Sequence, residues 1–212
     1  MISFAADERA RLCDQLLQGG PDAPTLCAGW TARDLAAHLV LRESRPDASV
    51  GVAVRPLAGY TERVRLEIAA RPWEQLVREV RGGPPLWSPM RIRAVGELVN
   101  AVEFFVHHED LRRAQPEWTP RPLEPSTQAM LWRTLQTGGG WLYRHGPVGV
   151  VLARPDGTRT TARRARAGRS VTVTGEPAEL VLHAFGRQAH ALVELDGDPL
   201  DVAALAAARL GP

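Results

Sequence analysis

One stretch limits the fold more than any other. Residues Ile92 to Ala114, which include VGELVNAVEFFVHHEDLRRA, carry apolar side chains over much of a helical surface before turning polar. A helix that is apolar on most sides must be surrounded by other elements, so this segment predicts the central helix of a bundle. Helical spacing recurs before it. Leu12, Leu16 and Leu17 fit a first helix over Phe4–Leu17, ended by Gly19, Gly20 and Pro21. Thr31 followed by Asp34 reads as a capping-box-like start, with the acid near the positive end of a second helix. That helix continues through Leu35, Leu39 and Arg42 until Pro46. A loop over Asp47–Arg55 leads to a third helix, Leu57–Ala70, and Pro72 opens a short helix through Val80. RGGPPLWSP then forms an irregular connector to the central helix.

After the central helix the texture changes twice. Pro116–Pro125 holds four prolines in ten positions, which excludes a helix and predicts a stiff linker or wrap-around loop. Ser126 starts a fifth helix that runs to about Arg144. Beyond His145, β-branched runs flank a Pro-Asp-Gly turn and predict a hairpin. PAELVLHAFGRQA reads as a helix, HALVELDGD as a strand, and PLDVAALAAARL as a closing helix. The expected organisation is a mainly α protein: a helical bundle over residues 1–145 and a small α+β domain over 146–212.

Composition removes several function classes. With 212 residues, 44% hydrophobic and 24% charged, the chain can bury a real core and is not disordered. A formal charge of +2 demands no polyanionic partner. All 26 basic residues are Arg, so no Lys is available as a Schiff-base former. Cys13 and Cys27 are not in a CxxC pair and read as reduced, half-buried thiols. The N-terminus lacks the basic and apolar regions of a signal peptide, and no apolar run approaches the roughly 20 residues of a membrane span. The expected location is the cytoplasm, with no membrane partner. The arginines of residues 159 to 169 lack an aromatic platform or a DNA-binding motif and read as a solvated hairpin, so no nucleic-acid partner is expected. The glycines at 138 to 140 do not follow a strand and form no phosphate loop.

The residues with chemistry to offer are few. Glu103 and His107 are four apart on the central helix, with Cβ atoms about 5–6 Å apart, so a carboxylate and an imidazole can converge on one ion. A third ligand must come from elsewhere. His38, among Ala36, Ala37 and Leu39, is the natural candidate. Spacing alone equally allows a hydrogen-bonded core histidine at 38 and a surface ion pair at 103 and 107. His108 points about 100° away from His107 and is cast as a pocket residue. Arg42, Glu43, Arg45, His108 and Asp110 would give the pocket its polarity. Arg42 lies one turn from His38 and can bind a substrate carboxylate bidentately, or form an inter-helix ion pair. Asp34, one turn before His38, can orient that imidazole or cap the helix. Trp30 lines a pocket or anchors the second helix to the bundle. No residue is assigned a catalytic role.

CAGWTARDLAAHLVLRESRPDA, with EFFVHHEDLRRAQP later in the chain, resembles the DinB-like superfamily. It resembles in particular the branch related to mycothiol-dependent maleylpyruvate isomerase, and within it an actinobacterial group of metal-binding proteins. The resemblance covers roughly residues 5 to 145, and the tail is similar to that family's smaller C-terminal domain. It implies a DinB-like four-helix bundle holding a divalent ion, commonly zinc, through His38, Glu103 and His107. It also implies a small thiol such as mycothiol and a small acidic or electrophilic substrate as partners, and it leaves room for a homodimer. The implied chemistry is thiol transfer or isomerisation. A metal-dependent hydrolase, a non-catalytic metal- or ligand-sensing protein and, less readily on a helical scaffold, a two-His-one-carboxylate iron oxygenase use the same ligand types.

Overall fold

The structure is a computed structural model and describes residues 4–49, 55–88, 93–165 and 168–211, excluding the side chains of 55 and 93–99. The chain is mainly helical with one four-stranded sheet, and it divides into two compact units, Met1–Pro120 and Arg121–Pro212.

The first unit contains α1 (Phe4–Gly19), α2 (Ala32–Ser44), the single turn α3 (Pro46–Ser49), α4 (Ala58–Ala69), α5 (Trp73–Gly82) and α6 (Arg93–Arg113). A turn of 3₁₀ helix, Arg55–Leu57, leads into α4. The loop expected over Asp47–Arg55 is therefore helical at both described ends, and its middle, 50–54, lies outside the described residues. Helix α1 packs on α5 and α6, while α2 packs on α4 and α5. Their shared core takes Leu12 and Leu16 from α1, Leu35 and Leu39 from α2, and Val64 and Ile68 from α4. Leu76 and Val80 of α5 and Phe104 and Leu111 of α6 complete it. These are side chains at helical spacing on one stripe of each helix, which is why each stripe must find a neighbour.

The second unit contains α7 (Pro125–Leu142), β1 (Gly149–Ala153), β2 (Arg159–Arg163), β3 (Ser170–Thr174), α8 (Pro177–Ala184), β4 (Glu194–Asp196) and α9 (Pro199–Ala206). The sheet order is β2-β1-β3-β4. β1 and β2 form the expected antiparallel hairpin, closed by Arg154 N–H to the Thr158 carbonyl and turned by Gly157 at φ +85°. β3 returns parallel to β1, and β4 pairs antiparallel with β3. Residues 166–167 of the Arg-rich stretch lie outside the described residues.

The division falls at Pro120/Arg121 rather than at 145, because the fifth long helix is built into the second unit. Helix α7 packs on β2 and α8. Its Gln128 Oε1 accepts the free Ala178 N–H at the start of α8 (3.0 Å), and Arg163 of β2 donates to the Arg144 carbonyl just past its end (2.7 Å). The glycine run inside α7 makes the close approach possible: a Cβ on Gly139 would sit 3.2 Å from the Ala162 Cβ. Gly138 faces open space. Gly138→Ala is expected to raise stability by about 0.5–1 kcal/mol through helix propensity. Gly139→Val is expected to lower it by about 1–3 kcal/mol through overpacking, and chemical denaturation of the two variants checks the contrast.

Tyr143 and His183 form a polar pair inside the same unit. Both are buried, with Tyr143 Oη 2.8 Å from His183 Nδ1 and the rings stacked at 5.9 Å. Burial pushes the His183 pKa down to about 4, and in the doubly protonated ring the Nε2 proton would meet no hydrogen-bond partner among the described residues. A histidine whose folded pKa lies below its unfolded value near 6.5 contributes stability above that pH and loses it as pH falls toward 4. The loss attributable to this residue is expected to reach about 3 kcal/mol. Urea denaturation at pH 7 and pH 4.5 is expected to show a smaller pH effect in His183→Gln than in the unmodified chain.

Candidate metal centre

Helix α2 is positioned from its first turn. Asp34 Oδ2 accepts from the Thr31 N–H and the Thr31 hydroxyl, both at 3.0 Å, and Asp34 Oδ1 takes Arg65 of α4 at 2.5 Å. The contacts of Asp34 are thus those of a cap and an ion pair between helices. Its carboxyl is held below the usual range: burial raises it, but the Thr31 backbone bond and Arg65 outweigh that. The loop before α2 is tied to α6 by the Leu26 N–H, which donates to the Asp110 carbonyl at 3.1 Å. With its start fixed in this way, α2 presents His38 and, one turn on, Arg42 toward α6.

Helix α6 answers with Asn100, Glu103, His107 and Asp110, whose spacing places them on one face. Glu103 Oε1 lies 3.2 Å from His38 Nε2 and 3.2 Å from His107 Nε2. Arg42 Nε is 3.7 Å from the same oxygen, and Arg42 Nη1 donates to Asn100 Oδ1 at 2.6 Å. His38, Glu103 and His107 each bring one donor atom to within 4.8 Å of the others. The two imidazoles meet edge to face at 5.3 Å, and Trp30 covers the far side of His38 at the same ring separation. The Arg65 guanidinium lies 5.0 Å over Trp30, so Trp30 anchors α2 and walls the site at once. On its other edge, His107 Nδ1 is 2.9 Å from Asp110 Oδ2, which Cys27 Sγ approaches at 3.2 Å.

The electrostatics favour an anionic carboxylate between two imidazoles. Burial opposes the charge on Glu103, yet hydrogen bonds from His107 and His38 hold its pKa well below the usual value. Burial lowers the His38 pKa more than Glu103 raises it, which favours the neutral ring that a metal requires. Burial also opposes charge on His107, but Asp110, Cys27 and Glu103 together raise its pKa well above 6.5.

Other expected site residues lie elsewhere. His108 turns toward α1, where its Nδ1 is 3.0 Å from Glu8 Oε2 with both side chains buried. The 100° helical step that separates it from His107 sends it to another neighbour rather than into the pocket. Glu43 is buried against Arg9 through two bonds of 2.7 and 2.5 Å, and Arg45 pairs with Asp47 and Tyr60. Both line a groove of about 590 Å³ with Arg71, Leu86 and Trp87, and that groove includes none of the three donors. Two residues at the centre had no assigned role there: Asn100, whose only signal is its spacing of three before Glu103, and Cys27, which arrives from a loop and leaves no pattern.

No protein-family model matches the chain, and no curated protein matches it. Among solved structures, the fold is similar to that of a mycothiol-dependent maleylpyruvate isomerase, with a TM-score of 0.55 and 18% sequence identity over 93% of this chain and 97% of the other. A His-to-Ala variant of that enzyme matches with a TM-score of 0.53, at the same identity and coverage. At this identity the likeness is one of fold.

Proposed function

We propose that this chain is a divalent-metal-dependent enzyme that uses a low-molecular-weight thiol on a small electrophilic substrate. In this reading it is a distant member of the DinB-like, maleylpyruvate isomerase-related branch, with zinc as the metal and mycothiol as the thiol. The observation that carries it is the triangle of His38 Nε2, Glu103 Oε1 and His107 Nε2. Its two edges of 3.2 Å match the edge of about 3.3 Å that a tetrahedron with 2.0 Å zinc bonds requires. Two imidazoles and one carboxylate form a catalytic type of ligand set, because a fourth position stays open to an exchangeable ligand. The fold similarity to a mycothiol-dependent isomerase supports the choice of thiol over water as that ligand.

A divalent cation at this position supplies Lewis acidity, which makes a coordinated thiol a thiolate at neutral pH. The chain's own residues do the rest. Glu103 places an anionic oxygen between the imidazoles and offsets part of the added charge. Arg42, steadied by Asn100 and beside Glu103, offers a guanidinium to a substrate carboxylate. Trp30 and the apolar residues around His38 keep that side of the site dry, which strengthens every charge interaction in it.

Elemental analysis of the purified protein is expected to show one divalent metal per chain, with His38→Ala and Glu103→Gln much reduced. A His38→Ala variant that keeps full stoichiometry would remove His38 from the ligand set. Mycothiol at a hundredfold excess over its Kd is expected to stabilise the metal-loaded protein by about 2.7 kcal/mol, read as a rise in Tm. The same addition is expected to leave the metal-stripped protein unshifted. A shift with metal but none with any thiol would end the thiol assignment and leave the metal site standing.

A further inference from the structure

We propose that Asp110 is a positioning residue for the candidate metal centre, fixing the proton of His107 on Nδ1 so that Nε2 faces the ion, and that Cys27 holds Asp110 in place. This rests on the metal reading of His38, Glu103 and His107.

The geometry around His107 separates its two ring nitrogens: Nδ1 faces Asp110 Oδ2, and Nε2 faces Glu103 Oε1 on the side of His38. A neutral imidazole carries one proton and one lone pair on opposite ring nitrogens. Nδ1 lies 2.9 Å from Asp110 Oδ2, and a carboxylate can only accept, so Nδ1 bears the proton. Nε2 faces the triangle with Glu103 and His38, so it is the nitrogen left to a cation there once Nδ1 is committed to Asp110. An imidazole held this way cannot swivel out of the site without breaking a buried, charge-assisted hydrogen bond.

Asp110 is itself fixed from outside its helix. Its side chain is fully buried, its Oδ2 also accepts from Cys27 Sγ at 3.2 Å, and its carbonyl accepts the Leu26 N–H at 3.1 Å. The loop that delivers α2, and with it His38, is thereby clamped at the residue that orients His107. One side chain sets both the direction of a ligand on α6 and the approach of the helix that bears the other.

Cys27 Sγ, His107 and Asp110 also lie close enough together to hold an ion of their own. The positioning role is the better fit, because one oxygen, Oδ2, sits at hydrogen-bonding distance from both the thiol and the ring. A second cation there would need the thiol deprotonated and both nitrogens of His107 stripped of protons.

The test is zinc affinity by chelator competition, with ¹⁵N NMR of the histidine rings in the zinc-loaded protein and far-UV circular dichroism as the folding control. Asp110→Asn is expected to weaken zinc about 10- to 100-fold while staying folded. Cys27→Ala is expected to weaken it less, and Cys27→Ser, which keeps a donor to Asp110, to restore it. The NMR spectrum of the unmodified protein is expected to show His107 protonated at Nδ1 and bound through Nε2. A folded Asp110→Asn with unchanged affinity, beside a His38→Ala that has lost zinc, overturns the positioning role and spares the metal site. If His38→Ala also binds zinc unchanged, the metal reading falls and takes this inference with it. Should Asp110→Asn fail to fold, the ring protonation decides: no proton on Nδ1 of zinc-bound His107 overturns the proposal. A thiolate-to-cadmium absorption band in the cadmium-loaded protein, lost in Cys27→Ser, also overturns it by making Cys27 a ligand.

Discussion

Four consecutive ionisable residues, His107, His108, Glu109 and Asp110, are buried together on α6, and the first unit is arranged around that burden. Each group must be paired, because an unpaired buried charge costs more than its neighbours can return. The 100° step of the helix makes the pairing possible by sending successive side chains in different directions. His107 meets Glu103 and Asp110, His108 meets Glu8 of α1, and Glu109 meets Arg112 and Arg113. Asp110 meets Cys27 of the loop before α2. Two of these contacts, His108 with Glu8 and Asp110 with Cys27, pin separate segments to α6, which makes it the reference frame for the site. The Arg9–Glu43 pair does similar work between α1 and α2, with Arg9 also donating to the Val80 carbonyl of α5.

Much of this frame is legible in the sequence. The ends of α1, α2, α4 and α5 fall where glycine, proline and the Thr31–Asp34 pair place them, because those residues act through local backbone chemistry. The juxtaposition of Glu103 and His107 is legible for the same reason, since four residues on a helix is a distance. What the sequence withholds is the identity of non-local partners. His108 carries the same side chain as its neighbour, and only the position of α1 makes it a partner of Glu8. Glu43 and Arg45 look like pocket residues beside Arg42, yet one and three positions further along the chain they meet different surroundings. The division between the units fails for a related reason. The proline-rich stretch marks a break, but only the close fit of Gly139 against Ala162 shows which side of it α7 belongs to.

Trp30 shows why a choice between a structural and a functional role can be a false one. Its indole packs against the core, carries Arg65 on one side and covers His38 on the other. Arg65 in turn holds the capping residue Asp34. A chain of contacts therefore runs from the cap of α2 through Arg65 and Trp30 to the imidazole of His38. The residue that stabilises the start of the helix and the residue that walls the site are parts of one arrangement, so damage at either end should be felt at the other.

Charge balance narrows what such a centre can hold. Around the proposed cation stand two carboxylates, Glu103 and Asp110, and one guanidinium, Arg42, while a ligating His38 and His107 are neutral. A dication in this setting leaves a single net positive charge, which one bound anion offsets. In the proposed reading a thiolate would meet that requirement. An acidic substrate would bring a second negative charge, and Arg42, beside Glu103, is the group that would receive it. For Arg42 to do so it must exchange part of its present interaction with Asn100 and Glu103 for the substrate, and the 3.7 Å separation from Glu103 is the weaker of those two contacts. In the proposed reading, binding of a thiol and of an acid would be coupled through Glu103, because drawing Arg42 toward the substrate would leave that carboxylate to the cation alone.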